Sequence, residues 1–375
     1  MDSVIAVDRS ANDAKALLPI VYVILIGWYV ASALVPLLPL HFDLGPELRD
    51  WLGFELGGES AADFVTTEDA WAIAILLLPR LAMLLGLAHF LASGRFGATG
   101  QSGLFWLPVV VLGLAFNVEY LSLSVLLLMS YHIARRPVGI RRWLVESCAW
   151  FGFLFLIGLH RGQLLLLMFP LAIRIRAFPL WGKAVAVSIG VAAVLQLSFL
   201  KFETDDVAVL GNVIARISFY NQYFLYKIYD TALAFNTGKP VTLDAIGSLP
   251  FIRQLTGSVN EVELFRKATG GQGGLAISPE IRAFSYWKDL YLAIADLMTL
   301  YGSVFTAFWV GSRIMPSLKT GAVLAFPLLI QIDSLNNLTL WLQIALVIGV
   351  MEFLYREYGR GAVDRATAST EAMVR

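Results

Sequence analysis

Arginines that stand outside the long apolar stretches are the residues of this sequence best suited to chemistry. Arg161 lies in the short turn Gly-Leu-His-Arg-Gly-Gln, and Arg216 lies in an aromatic, amphipathic segment at 209–235. Arg253 ends the run Ser-Leu-Pro-Phe-Ile-Arg. Because a guanidinium group matches phosphate oxygens in a bidentate way and never loses its charge, this set predicts binding of an anionic group.

Motifs for metal, cofactor and nucleic-acid chemistry are missing from the sequence. The four histidines are scattered, and no zinc-ligand spacing, phosphate-binding loop or dinucleotide fingerprint is present. Glu203, Asp205 and Asp206 could hold a divalent ion, but an acidic lip just outside a membrane is the favoured interpretation. The 28 basic and 28 acidic residues balance, which gives no indication of nucleic acid. We therefore predict neither a metal nor a cofactor.

The elements that position these residues are predicted to be membrane helices. Hydrophobic residues make up 58% of the 375, and only 15% are charged, against about 25% in soluble domains. Apolar stretches long enough to span, or nearly span, a bilayer occur at 17–40, 70–92, 104–117, 120–134, 143–159, 163–175, 181–200, 290–311, 319–333 and 337–355. The sequence thus predicts an all-α, polytopic integral membrane protein with about ten transmembrane helices (about 9–12).

The distribution of Lys and Arg predicts the orientation. With both termini in the cytoplasm, the inner segments carry sixteen cations and the short outer ones carry two, as the positive-inside bias requires. Residues 201–290 then form one large outer loop, in which 209–235 is predicted to be a helix at the membrane surface. The predicted regions are a seven-span region at 1–200, the loop at 201–290, a three-span region at 291–355 and a cytoplasmic tail at 356–375, within one membrane domain.

Polar residues inside the predicted spans are a further set of candidates. Arg80 lies beside Pro79 in the second span, where a charge is costly and faces the bundle interior. It could reach a lipid-linked anionic substrate, or it could form an ion pair with Glu119, Glu146 or Asp296. Asp296, Thr299, Ser303 and Thr306 share one helical face, which is expected to look into the protein as polar contact between helices.

The outer segments resemble the bacterial O-antigen polymerases, also called Wzy-type oligosaccharide repeat unit polymerases, over roughly residues 150–311. Four short patterns support the resemblance: a Gly-x-x-Arg-Gly turn (Gly158, Arg161, Gly162), an Arg-x-x-x-Tyr pattern (Arg216, Tyr220), a Pro-x-x-Arg pattern (Pro250, Arg253) and a Tyr-Gly pair (Tyr301, Gly302).

The resemblance implies a GT-C-like enzyme at the periplasmic face of the bacterial inner membrane. It would transfer a growing glycan from undecaprenyl pyrophosphate to another lipid-linked repeat unit, without a cofactor. Its partners would be undecaprenyl-pyrophosphate-linked oligosaccharide, membrane lipid and a chain-length regulator, and not nucleic acid. The expected catalytic residues are Arg161, Arg216 and Arg253, with Asp230 as the base, and the expected substrate-binding residues are Arg282, Arg80, His160, Tyr220 and Tyr223.

Two other classes of function stay open at this stage. One is another membrane glycosyltransferase with a polyprenyl-linked donor, which would use acidic residues such as Asp43 or Glu68–Asp69, or an O-antigen ligase, which is expected to use a His that 201–290 lacks. The other is a transporter of lipid-linked sugars or solutes. A transporter would require several intramembrane charges, of which the sequence shows Arg80 as the central one.

Overall fold

The computed structural model of the protein describes residues 18–19, 21–30, 33, 55–56, 59–60, 67–92, 119–135, 140–156, 239–247, 249, 252, 255, 278–330 and 338–354. Within these ranges the chain is helical except for one short hairpin. In that hairpin Glu55 lies opposite Ser60, and Leu56 lies opposite Glu59, in an antiparallel pair of two-residue strands. This composition of elements agrees with the all-α prediction.

The described part contains ten helices and two strands. They are α1 (21–29), β1 (Glu55–Leu56), β2 (Glu59–Ser60), α2 (Thr67–Leu76), α3 (Leu78–Ala92), α4 (Glu119–Arg135), α5 (Ile140–Leu156), α6 (Val241–Gly247), α7 (Pro279–Trp287), α8 (Leu290–Ile314), α9 (Leu318–Ile330) and α10 (Leu338–Leu354).

Helices coincide with most of the predicted spans that the structure describes. Two stretches, Ala74–Leu91 and Leu290–Ile314, are long and apolar enough to cross a membrane, judged by length and composition. They indicate a membrane protein, whereas the count of ten spans stays a prediction. The predicted spans 104–117, 163–175 and 181–200, and the predicted helix at 209–235, lie outside the described residues.

The second predicted span is divided into α2 and α3 at Leu77. Pro79 explains the break, because it has no backbone N–H and its ring collides with the carbonyl group four residues earlier in a continuous helix. Helical hydrogen bonding has resumed by Leu81, whose N–H donates to the Leu77 carbonyl oxygen at 3.0 Å. The break places Arg80 in the first turn of α3.

Helix α8 is the centre of the described part, and α3, α6, α7 and α9 all contact it. Its buried face consists of Ala293, Asp296, Leu297, Leu300, Tyr301, Val304, Phe308 and Ser312. The prediction for this helix was wrong in one respect, since Thr299, Ser303 and Thr306 are exposed. Thr299 instead donates its hydroxyl to the carbonyl oxygen of Ala295, 2.8 Å away, so its side chain needs no partner on another helix.

The last two helices approach closely because glycine lies at their contact. A Cβ atom added at Gly321 in α9 would lie 2.0 Å from the carbonyl oxygen of Ala345 in α10. At Gly349 in α10, an added Cβ would lie 2.7 Å from Leu318 Cδ2. Small residues of this kind allow helix backbones to pack closely in membrane proteins.

Candidate functional site

Helices α7 and α8 are joined by only Lys288 and Asp289, and their sequences define both ends of this link. Lys288 adopts a left-handed conformation (φ 51°) and donates its N–H to the carbonyl oxygen of Phe284 at 2.9 Å, which ends α7. Asp289 begins α8 by accepting hydrogen bonds from the N–H groups of Tyr291 and Leu292 at 2.9 and 3.0 Å. The two helices therefore fold back against each other.

At its other end, α7 begins with a helix-initiating sequence, Ser278-Pro279-Glu280. The hydroxyl of Ser278 accepts the N–H of Ile281 at 3.3 Å, and Pro279 occupies the first turn, where its missing N–H costs nothing. Ser278 and Glu280 are both fully buried. The start of α7 is thus enclosed by protein, and Glu280 carries a carboxylate into that interior.

Arg80, Glu280 and Tyr301 form a buried triad that joins α3, α7 and α8. The Nε and Nη2 atoms of Arg80 lie 3.0 and 3.1 Å from the two carboxylate oxygens of Glu280. The Tyr301 hydroxyl accepts from Arg80 Nε at 3.0 Å and donates to Glu280 at 2.5 Å. The two charged side chains are only 5% and 1% exposed, so each compensates the other where water cannot.

One edge of the Arg80 guanidinium group does not contact Glu280. Glu280 takes the Nε and Nη2 edge, and the buried Nη1 has no hydrogen-bond partner among the described residues. Since the group is planar and trigonal, Nη1 points away from the carboxylate. A buried donor in this condition is unfavourable by about 1–3 kcal/mol, so an oxygen atom brought to this edge would be bound.

Asp296 forms a second polar cluster, on the same buried face of α8. Its carboxylate accepts hydrogen bonds from the N–H groups of Val241 and Thr242 at 2.8 and 3.1 Å, and from the Thr242 hydroxyl at 2.6 Å. The indole N–H of Trp287 donates to it at 3.0 Å. Asp296 therefore satisfies the start of α6, whose first N–H groups have no partner within the helix itself.

Arg282 completes the connection between α6 and α7. Its Nη2 atom donates to Asp244 of α6 in a direct ion pair, and both side chains are largely buried. Through Asp296 and Arg282 together, α6 is fixed to α8 and to α7. Five ionisable side chains thus lie along the junction of α3, α6, α7 and α8: Arg80, Asp244, Glu280, Arg282 and Asp296.

A separate contact between buried polar side chains links α4 to α10. His132 Nε2 and Glu352 Oε2 are 3.4 Å apart, and neither side chain is exposed. Glu352 lies near the end of α10, and α4 lies against its side chain. Nearby on α4, the Ser130 hydroxyl accepts the indole N–H of Trp150 at 2.9 Å, which ties α5 to the same helix.

The structure describes two of the predicted site residues, and it brings both to the junction of α3, α6, α7 and α8. These are Arg80 and Arg282. The other predicted residues lie outside the described part of the chain: Arg161, Arg216, Arg253, Asp230, His160, Tyr220 and Tyr223. Their roles stay predictions.

The partner predicted for Arg80 was wrong, although an ion pair was correctly offered as its alternative role. Arg80 pairs with Glu280, while Asp296 binds α6 and Trp287. Glu146 Oε1 lies 3.1 Å from the Nε atom of Arg142, one helical turn away on α5. The Glu119 side chain lies outside the described part.

Sequence reasoning missed Glu280 and Asp244 because both were assigned to the outer loop. The sequence Ser278-Pro279-Glu280 did contain a signal, since Ser followed by Pro predicts the start of a helix. Among the described residues there is no group of three or more His, Cys, Asp or Glu arranged to hold a metal ion.

Comparison with known proteins identifies no relative of this chain. No protein-family model, curated protein or solved structure matches it.

Proposed function

We propose that this protein is a membrane glycosyltransferase of the polysaccharide polymerase type. It would join undecaprenyl-pyrophosphate-linked oligosaccharide repeat units at the outer face of a bacterial inner membrane. The sequence patterns shared with the O-antigen polymerases support this function, and so do the two apolar helices long enough to cross a membrane. A chain-length regulator would be an additional partner.

The observation that carries the proposal is that Arg80 and Arg282 lie buried among apolar helices. Both are cations predicted to bind substrate, and they lie on α3 and α7, which contact α8. A lipid-linked substrate has its pyrophosphate where the isoprenoid chain meets the sugar. Glu280 and Asp244 already pair with these two arginines, so the group that would serve the pyrophosphate is Arg80 Nη1, a donor that no described residue uses.

The reaction needs a base for the acceptor and stabilisation of the leaving group. The acceptor hydroxyl attacks the anomeric carbon of the growing glycan, the bond from that carbon to the pyrophosphate oxygen breaks, and undecaprenyl pyrophosphate leaves. We assign Arg161, Arg216 and Arg253 to the developing pyrophosphate charge. Asp230 would take the proton of the acceptor hydroxyl.

The test is polymer formation by purified protein supplied with a lipid-linked repeat unit. Replacing Arg161, Arg216 or Arg253 by Lys should reduce chain extension almost as much as replacement by Ala, because Lys keeps the charge but loses the bidentate geometry. Arg142→Lys is the matched control, since Arg142 is 69% exposed on α5. Full-length polymer from all three alanine variants at normal protein level would refute the assignment.

The same assay in the presence of a chelator tests whether the reaction needs a divalent ion. We expect chain extension to continue, because arginine is assigned to the pyrophosphate charge. Activity that chelation abolishes and Mg²⁺ restores would instead favour a glycosyltransferase with an acidic site.

Transport of lipid-linked sugars or solutes is the second candidate, and one observation favours it. Besides Arg80, five acidic, basic or histidine residues lie buried in the described helices: His132, Glu280, Arg282, Asp296 and Glu352. Buried ionisable groups in membrane helices are typical of substrate and proton pathways. Vesicles containing the protein separate the two functions, because a transporter moves the lipid-linked sugar across the bilayer without forming a glycosidic bond.

A further inference from the structure

Helix α6 contacts α8 beyond the first turn of α8, although α6 belongs to the segment predicted to form the outer loop. Its first N–H groups bind Asp296. Asp296 lies seven positions after Asp289, which is the N-cap residue of α8. At 1.5 Å per residue, this distance along the helix is about 10 Å. The start of α6 is therefore held alongside the apolar part of α8 and not at its end.

Helix α6 buries Val241 and Ala245, but it also turns polar side chains toward protein and large aliphatic ones outward. Its polar residues Thr242 and Asp244 are turned toward protein, where they bind Asp296 and Arg282. Its outward residues are Leu243, which is 56% exposed, and Ile246, which is 47% exposed. A surface helix of a water-soluble domain presents its polar residues outward and buries its large aliphatic ones.

The same arrangement continues on α8 at this level. Leu292 and Met298 lie within four residues of Asp296, and both are exposed, by 48% and 62%. They belong to one of the two helices long and apolar enough to cross a membrane. The large outward side chains of α6 and of α8 at this level are thus apolar, and the hydroxyl of exposed Thr299 bonds its own helix, as the hydrocarbon region of a bilayer requires.

We propose that α6 is a re-entrant element that dips into the lipid bilayer beside α8, with Leu243 and Ile246 in contact with acyl chains. The polar bonds of Asp296 and Arg282 make this insertion feasible, because they satisfy the start of the helix and its one charged side chain from within the protein. The inference needs the chain to lie in a membrane, but it does not depend on the reaction that the protein catalyses.

Spin labels in lipid vesicles test this placement directly. Single cysteines are introduced at Leu243, Ile246, Met298 and Lys239 after the only native cysteine is removed by Cys148→Ser, and each is labelled with a nitroxide. The protein is placed in vesicles of phosphatidylethanolamine and phosphatidylglycerol. Collision rates are then measured with oxygen, which concentrates in lipid, and with a water-soluble nickel chelate.

We expect the ratio of oxygen to nickel collisions at Leu243 and Ile246 to match that at Met298 and to exceed that at Lys239 several-fold. A ratio equal to that at exposed Lys239 would place α6 in water and overturn the inference. Low collision rates with both reagents would also overturn it, since they would mean that protein, such as a second copy of the chain, covers this face.

Met298 separates failure of this inference from failure of the proposed function. If Met298 is lipid-exposed while Leu243 and Ile246 are in water, only the re-entrant placement is wrong. If Met298 itself is in water, the membrane location and the proposed glycosyltransferase both fall. Gel filtration establishes that each labelled variant is folded, and Ile246 reports on the same face if the label at Leu243 disturbs it.

Discussion

Replacement of Glu280 by glutamine is the most direct perturbation of the buried triad. The variant Glu280→Gln keeps the shape of the side chain and removes its negative charge. In the native protein the Nε and Nη2 atoms of Arg80 lie 3.0 and 3.1 Å from the carboxylate oxygens of Glu280. In the variant, Arg80 would remain 5% exposed with no opposing charge from residue 280. The variant therefore measures how far the junction of α3, α7 and α8 depends on charge compensation.

The structure sets the size of the effect. Removing one partner of a buried ion pair is destabilising by about 3–5 kcal/mol. Because the glutamine amide oxygen still accepts one bond from Arg80, we expect the lower end of that range, about 3 kcal/mol. The matched control is Glu146→Gln, whose partner Arg142 lies four residues away and is 69% exposed. Pairs of that kind contribute below about 0.5 kcal/mol.

Unfolding in mixed lipid–detergent micelles, followed by circular dichroism as the fraction of denaturing detergent rises, provides the free energies. The double variant Arg80→Met with Glu280→Met completes the experiment, because replacing a whole buried pair by apolar residues is often close to neutral. We expect the double variant to be more stable than Glu280→Gln. The reasoning is refuted if Glu280→Gln has the same free energy of unfolding as the control Glu146→Gln. It is also refuted if the double variant is no more stable than Glu280→Gln.

Two further predictions concern helix docking and helix packing. Asp296→Asn should speed hydrogen exchange of the backbone amides of 241–247. In the native protein both carboxylate oxygens accept N–H donors, and the new NH₂ group would face one of these donors without being able to accept from it. Unchanged exchange at these amides, measured by mass spectrometry, would count against the cap. Gly321→Ala should lower stability by about 2 kcal/mol or more, since its Cβ would meet a carbonyl oxygen at 2.0 Å. Gly302→Ala is the control: nothing lies within 4 Å of its added Cβ, and helix propensity alone favours alanine by about 1 kcal/mol, so equal losses in the same unfolding assay would contradict the packing argument.

Sequence predicted the helices well where the signal is local. An apolar run of sufficient length is a property of neighbouring residues, and the predicted span 290–311 therefore agrees closely with α8, Leu290–Ile314. Pro79 was visible as well, but the division of the second span at Leu77 was not predicted. The hydropathy of both halves is high, and only the backbone chemistry of proline separates them.

The site could be predicted only in part, because its contacts join distant positions. Periodicity placed Asp296 and Thr299 on one helical face, but it does not say which way that face points, and Thr299 proved to bond its own helix. A charge inside a span implies a partner without naming it. Glu280 lies 200 residues after Arg80, in a segment that hydropathy assigned to water.

The buried carboxylates of this junction have a consequence for the proposed reaction. Asp296 fixes α6, and Glu280 and Arg282 fix α7, so the chain between these two helices is anchored at both ends on membrane-length helices. Arg253 follows the last residue of α6 by six positions, and at about 3.5 Å per residue its Cα stays within about 20 Å of that anchored end. Chain length alone therefore limits how far Arg253, which we propose for the leaving group, can lie from the junction. We therefore expect the junction to restrain the loop that carries the proposed chemistry, in addition to the hydrogen-bond donor that Arg80 would offer the substrate.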